Sequence, residues 1–290
     1  MRIAAAAYPI DRLESWDAYR DKLERWVGAA DADLLVFPEY GAMELAALAG
    51  PDVAGDLKAS IRAVSELLPE VDALHADLAR RRGVHILAAS APAETEAAPV
   101  NRARLFAPGG AVGVQDKRII TRFEREEWGI GSGGPLRVFD TALGRIGVLI
   151  CYDCEFPLLA RAMIDAGAEV LLVPSCTDAE TGYSRVRVGA MARALEGQCV
   201  TVQAPTVGEA AWSPAVDVNY GRAGVFGPPD RGFPPSGVLA EGPLNEPGWT
   251  VAEVDLEAIR NVRRDGETLN LRHWEEQLGP AATAEPVDLR

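Results

Sequence analysis

Two hydrophobic rhythms alternate along the chain. Mostly apolar runs at residues 2–8, 33–37 and 85–90 have the length of buried parallel strands. Between them, residues 15–30 place Trp16, Tyr19, Leu23, Trp26 and Val27 at helical spacing. Residues 56–82 carry a second helical pattern, which Pro69 is expected to break or kink. The rhythm then shortens. Arg104-Leu105-Phe106, Pro108-Gly109-Gly110 and Val112-Gly113-Val114 predict two strands joined by a turn. The polar, glycine-rich stretch 124–135 reads as a loop, with strands at 136–140 and 146–151 after it. Helices are predicted at 156–167, 184–197 and 256–263, and strands at 169–174, 199–203 and 250–254. Residues 208–248, rich in Gly and Pro, predict loops with short strands, and 279–290 an extended or mobile arm. Helix-linked and hairpin-linked strands in one chain predict a layered α/β domain with a mixed sheet.

Composition narrows this picture. The chain has 290 residues, 48% of them hydrophobic, which is enough to fill a core and too many for disorder. A formal charge of −14 with no clustered basic footprint argues against nucleic acid and anionic membrane as partners. The apolar run at the N-terminus stops at Tyr8-Pro9, short of the core a signal peptide needs, and no segment reaches bilayer-spanning length. A cytoplasmic, reducing compartment is therefore expected. Four cysteines are too sparse for a disulfide scaffold, so the thiols are expected to be free.

Two motifs fail on context. Gly129-Ile130-Gly131-Ser132-Gly133-Gly134 matches G-x-G-x-x-G, but a charged stretch precedes it and a strand-like run follows, where a dinucleotide site needs a strand and then a helix. It reads as a flexible turn. Cys151 and Cys154 form a C-x-x-C without the second ligand pair of a zinc site. A thiol oxidoreductase using these two cysteines stays open as an alternative.

Three strand ends carry the remaining chemistry. Taken singly, Glu39 after an apolar run is either a solvated loop residue or a functional acid, Lys117 is by default a surface lysine, and Cys151 is either core filler or a reactive thiol. In open α/β sheets, strand ends form the ligand crevice. A thiol close to a helix start is also expected to be made more acidic by the helix dipole.

Together these residues resemble the nitrilase superfamily of carbon–nitrogen hydrolases, whose signature is a Glu, a Lys and a Cys in that chain order, each at a strand end. Phe37-Pro38-Glu39-Tyr40 matches the first, Asp116-Lys117 the second and Gly147-Val148-Leu149-Ile150-Cys151-Tyr152-Asp153, with Phe156-Pro157, the third. The resemblance covers nearly the whole chain and picks Cys151 over Cys154. It suggests Glu124 as a second structural glutamate, with Glu126 and Glu127 crowding the same loop. Arg193-Ala194-Leu195-Glu196-Gly197-Gln198 resembles a family helix, with Gly197 where Asn is usual.

The resemblance implies a four-layer α-β-β-α sandwich over residues 1–263, followed by a C-terminal arm at 264–290. It implies a homodimer joined through the helices at 156–167 and 184–197, and no metal or cofactor. Glu39 would act as base and acid, Lys117 and the backbone N–H of Tyr152 would hold the oxyanion, and Cys151 would carry a thioester. Tyr152-Asp153 after the cysteine resembles the amide-cleaving branches, whereas nitrile-cleaving members have Trp-Glu there. The expected activity is that of an amidase on a small carboxamide. Hydrolysis of an N-carbamoyl amino acid or amine, nitrile hydrolysis and a non-catalytic ligand-binding member are the alternatives. Tyr40, Trp128 and Tyr183 are candidate aromatic walls of the pocket, and Cys176 and Asp178 candidate substrate contacts.

Overall fold

The structure, a computed structural model, describes residues 1–279 and 283–290. The first half runs β1 (Arg2–Pro9), α1 (Trp16–Ala29), β2 (Leu34–Val36), α2 (Pro51–Ala54), α3 (Leu57–Arg82), β3 (His85–Ala93), β4 (Val100–Phe106) and β5 (Val112–Asp116). The second runs β6 (Val138–Thr141), β7 (Gly144–Val148), α4 (Pro157–Asp165), β8 (Val170–Ser175), α5 (Glu180–Gly197), β9 (Val200–Glu209), β10 (Val218–Asn219), β11 (Gly224–Phe226), β12 (Val238–Glu241), β13 (Gly248–Glu253), α6 (Leu256–Asp265) and α7 (Asn270–His273).

The strands form two sheets. One has the order β5-β4-β3-β2-β1-β13 and the other β6-β7-β8-β9-β11-β12. The two are hydrogen-bonded to each other where Tyr8 and Pro9 of β1 pair with Thr206 and Val207 of β9. In each sheet the helix-linked strands are parallel and the hairpin-linked ones antiparallel, as the alternating rhythms predict.

Strand periodicity sets the layers. Along β1, Ile3, Ala5 and Ala7 join the core that also holds Val148, Leu172 and Val202 of the second sheet. The alternate residues Ala4, Ala6 and Tyr8 pack with Leu23 and Val27 of α1 and Ile61 and Val64 of α3. Helices α4 and α5 cover the second sheet with Met163, Ile164, Val186 and Ala190. The result is the α-β-β-α sandwich.

Three expectations change. Helix α3 runs unbroken through Pro69. Pro69 lies on the exposed face, and its cost of about 3 kcal/mol is opposed by burial of Ile61, Val64, Leu68, Val71 and Leu78 at roughly 1.5–3 kcal/mol each. Residues Glu124–Trp128, expected within a loop, form a π-helical turn. The strand before Cys151 ends at Val148, and Cys151–Glu155 is a 3₁₀ turn.

Beyond residue 263 the chain still packs on the body. The Gln198 side chain bonds the carbonyls of Val262 and Thr268, and the Arg161 guanidinium lies 4.9 Å from the centre of the Trp274 ring. The arm expected at 279–290 crosses residues 280–282, which lie outside the described residues. Residues 283–290 carry no regular secondary structure.

Candidate active site

Glu39, Lys117 and Cys151 converge, and all three are buried. Glu39 follows β2, where Phe37 N–H is still bonded to the Leu87 carbonyl of β3. Lys117 follows β5, its N–H bonded to the Asn101 carbonyl on β4. The Lys117 ammonium donates to Glu39 Oε1 at 2.6 Å and to Glu124 Oε2 at 2.7 Å.

The π-helical turn aims one of the three crowded glutamates at Lys117. Glu124 and Trp128 point inward, while Glu126 and Glu127 are exposed and Glu126 pairs with Arg122. Glu124 also accepts from Tyr40 OH at 2.7 Å and from Thr121 N–H and Oγ1–H at 2.9 and 2.7 Å. Glycines of the apparent cofactor motif hold this loop down: Gly131 N–H bonds the Pro99 carbonyl and Gly133 N–H the Lys117 carbonyl. A side chain at position 133 would collide with Asp116 and with that carbonyl.

The thiol is placed by a strained backbone. Cys151 has φ +50°, in the left-handed region, which costs a non-glycine residue about 1–2 kcal/mol. Its turn is tied to its surroundings at two points. Asp153, buried, accepts from Ile119 N–H at 2.7 Å and Arg118 N–H at 3.1 Å, directly after Lys117. The Arg193 guanidinium donates to the Cys154 carbonyl at 3.1 Å from α5. Gly197 lets Ile164 of α4 approach α5 closely, since any side chain there would meet it.

Burial dominates the electrostatics. It raises the Glu39 carboxyl to about 7, against the lowering pull of Lys117. Burial also lifts Glu124, but Lys117, Thr121 and Tyr40 outweigh it and hold that carboxyl below its usual range. Burial pulls Lys117 down, yet the two carboxylates more than offset this and keep it cationic. The Cys151 thiol is pushed well above its ordinary value by burial and by Glu39. The acidification expected from a helix start is absent, because desolvation and a neighbouring carboxylate exceed what one short turn can supply. With both glutamates ionised the cluster sums to one negative charge, although Lys117 itself is positive.

A cavity of about 570 Å³ opens onto Cys151. Tyr152, Cys176, Thr177 and Asp178 line it, with Glu155 and Arg185 among its charged residues. Cys176 sits close to the reacting groups: its N–H donates to Glu39 Oε2 at 2.9 Å, and its carbonyl lies 3.8 Å from Cys151 Sγ. The expected aromatic walls are elsewhere. Tyr40 and Trp128 stack behind Glu124, with ring centres 4.6 Å apart, and Trp128 Nε1–H donates to the Leu57 carbonyl. Tyr183, nearly buried, packs against Tyr220. The polar tips of Tyr40 and Trp128 are drawn to internal partners, which turns both rings inward. Cys154 is fully buried, with its sulfur against the Val186 carbonyl of α5, away from the cavity.

This arrangement sets a thiol, two carboxylates and an ammonium side by side next to a cavity. The Carbon-nitrogen hydrolase model matches residues 2–264. The chain belongs to the carbon–nitrogen hydrolase family. A probable hydrolase of Bacillus subtilis, YhcX, is 34% identical over 278 residues, which cover 94% of this chain and 53% of that protein. The chain thus spans about half the length of that relative. Human deaminated glutathione amidase is 36% identical over 124 residues, 43% of this chain and 35% of the relative. An amidase from Nesterenkonia sp. AN1, solved with acrylamide added to its active-site cysteine, superposes with a TM-score of 0.63 at 23% identity, over 94% of this chain and 99% of that one. That likeness is one of fold.

The site of this family member also holds residues that the motifs do not mark. Asn101 Nδ2 donates to Glu39 Oε1 at 2.8 Å, and Ser90 Oγ donates to Asn101 Oδ1 at 2.7 Å. Their sequence signal is slight: Ser90 interrupts the mostly apolar run of β3, and Asn101 shares the alternation of the apolar Ala103 and Leu105 along β4. Among the described residues, no group of three or more His, Cys, Asp and Glu is arranged to hold a metal ion, and no helix is long and apolar enough to cross a membrane.

Proposed function

We propose that this chain is a cysteine-dependent amidase that hydrolyses the C–N bond of a small carboxamide. The observation that carries this reading is the buried Glu39–Lys117–Glu124 cluster set against Cys151 at the floor of the cavity. The Cys151 sulfur attacks the amide carbonyl as its proton passes to Glu39. A thiol held neutral by burial favours this coupled transfer over a preformed thiolate. The oxyanion is held by Lys117 and by the Tyr152 N–H. Tyr152 is the second residue of its 3₁₀ turn, where a backbone N–H has no acceptor within the turn.

When the C–N bond breaks, Glu39 returns the proton to the leaving nitrogen, and ammonia or an amine departs. Water then loses a proton to Glu39 and attacks the thioester. The acid is released, and Cys151 regains its proton from Glu39. Glu124 holds the far side of Lys117 throughout.

The names of the amidase relatives and the Tyr152-Asp153 pair support an amide over a nitrile. The position of Cys154 under α5 speaks against a Cys151–Cys154 redox pair. The test is ammonia release across a panel of carboxamides and N-carbamoyl amino acids, in the full chain and in Cys151→Ala. Release from an amide that the variant loses supports the reading. Silence across the panel, or activity that persists in Cys151→Ala, ends it. The same reading includes a homodimer through α4 and α5, which expose Leu158, Val188 and Leu195.

A further inference from the structure

We propose that Asn101 is a positioning residue that fixes which oxygen of Glu39 exchanges protons. The proposal rests on Glu39 acting as the base, and it concerns how that base is aimed. A carboxylate has about two acceptor sites on each oxygen. Both sites of Glu39 Oε1 are taken, by the Lys117 ammonium at 2.6 Å and by Asn101 Nδ2 at 2.8 Å. Oε2 carries one backbone donor, the Cys176 N–H at 2.9 Å. The acceptor site left open is on Oε2, so the proton of Cys151 goes there.

The amide of Asn101 serves both carboxylates. Nδ2 also lies 3.4 Å from Glu124 Oε1, so its two hydrogens are shared between Glu39 and Glu124, across from Lys117. A flipped amide would turn its oxygen toward two anions. Ser90 prevents the flip. Its hydroxyl accepts the Tyr40 N–H at 3.0 Å and donates to Asn101 Oδ1 at 2.7 Å. Tyr40 is the residue next to Glu39, so the chain of bonds closes on the segment it positions. Asn101 and Ser90 are fully buried, with no water to substitute for a lost partner.

A defect in β3 makes this possible. Ala88 pairs with Arg104 and Ala91 with Arg102, so β3 carries one residue more than β4 across this interval. Ala88 and Ala91 both face the helix layer, which an odd separation forbids in a regular strand. The bulge reverses the alternation and brings Ser90 to the face of β4 that carries Asn101, Ala103 and Leu105. Bulges re-aim side chains in this way beside active sites.

The experiment is the pH dependence of Cys151 alkylation by iodoacetamide in the full chain, read by peptide mass spectrometry, beside the pH profile of amide turnover. Asn101→Leu keeps the volume and removes both donors. Ser90→Ala keeps the amide and removes its lock. Loss of a donor to the ionised base makes it hold its proton more tightly. The acid limb of both profiles should therefore move up by about one pH unit in Asn101→Leu and in the same direction, by less, in Ser90→Ala. Unshifted limbs with only a uniform loss of rate or thermal stability would overturn the proposal and leave Asn101 as packing. If Asn101→Leu does not fold, the presence or absence of the shift in Ser90→Ala decides. Alkylation needs no substrate. A shifted alkylation limb in a protein that cleaves no amide keeps the role of Asn101 and removes the amidase reading. Amide turnover with unshifted limbs does the reverse.

Discussion

Glu39 has to give up and regain a proton twice in each proposed turnover, and burial places its carboxyl at about 7 for that task. The base form is the ionised one, so kcat/KM should fall as pH drops through about 7. A pH–rate profile on any accepted amide checks this, and a rate that stays flat down to pH 5 would be inconsistent with it. Lys117 has a second duty. Its one positive charge is the counter-charge to two carboxylates that have no water to solvate them, so Lys117→Met should reduce kcat by about 10²–10³ and also destabilise the fold by roughly 3–5 kcal/mol. Turnover together with urea denaturation measures both. A turnover loss without a stability loss, which the motif alone would suggest, would mean that Glu39 or Glu124 takes up a proton instead. The three motif residues were legible because each ends an apolar run in a recognisable setting. Asn101 and Ser90 were not, since their meeting depends on a register shift between two strands that no local pattern encodes.

Among the elements, the loop after β5 shows how a misleading motif acquires a structural role. Its glycines let the chain press against the strand end that carries Lys117. Gly133→Ala should push Asp116 and the Lys117 carbonyl aside, costing about 1–3 kcal/mol and lowering turnover, whereas Gly134→Ala, which meets nothing within 4 Å, should be near neutral. Thermal melts and initial rates of the two variants make the comparison. Element type was readable wherever the hydrophobic period was strong, as in β1, α1 and β8. It failed where tertiary contacts decide the outcome. Pro69 is tolerated because the buried face of α3 outweighs it, and the π-helical turn forms where Glu124 reaches Lys117 and Trp128 reaches Leu57. The aromatic residues misled for a related reason. Composition shows that a ring is present, but only packing shows which way it faces.

At the scale of the molecule, two sheets that share a short pairing between β1 and β9 bring strand ends together at one site, and three different connections deliver Glu39, Lys117 and Cys151 there. The net charge of −14 argues against polyanions as partners but does not describe the site, where two buried glutamates flank one buried ammonium. The exposed apolar residues are more informative. Leu158 on α4 is 71% exposed and Val188 on α5 is 64% exposed. Sedimentation should give twice the 31.0 kDa mass of the chain, and Leu158→Glu combined with Val188→Glu should return it to the monomer. A monomeric parent protein at micromolar concentration would refute that assembly.

The account depends most on a covalent bond at Cys151. Acid-quenching the protein during turnover of an accepted carboxamide and weighing its peptides tests this directly. The predicted result is an acyl adduct on the Cys151 peptide, labile to hydroxylamine and absent in Cys151→Ala. Turnover with the adduct on Cys154 or Cys176, or with an acyl group on no cysteine at all, would contradict it.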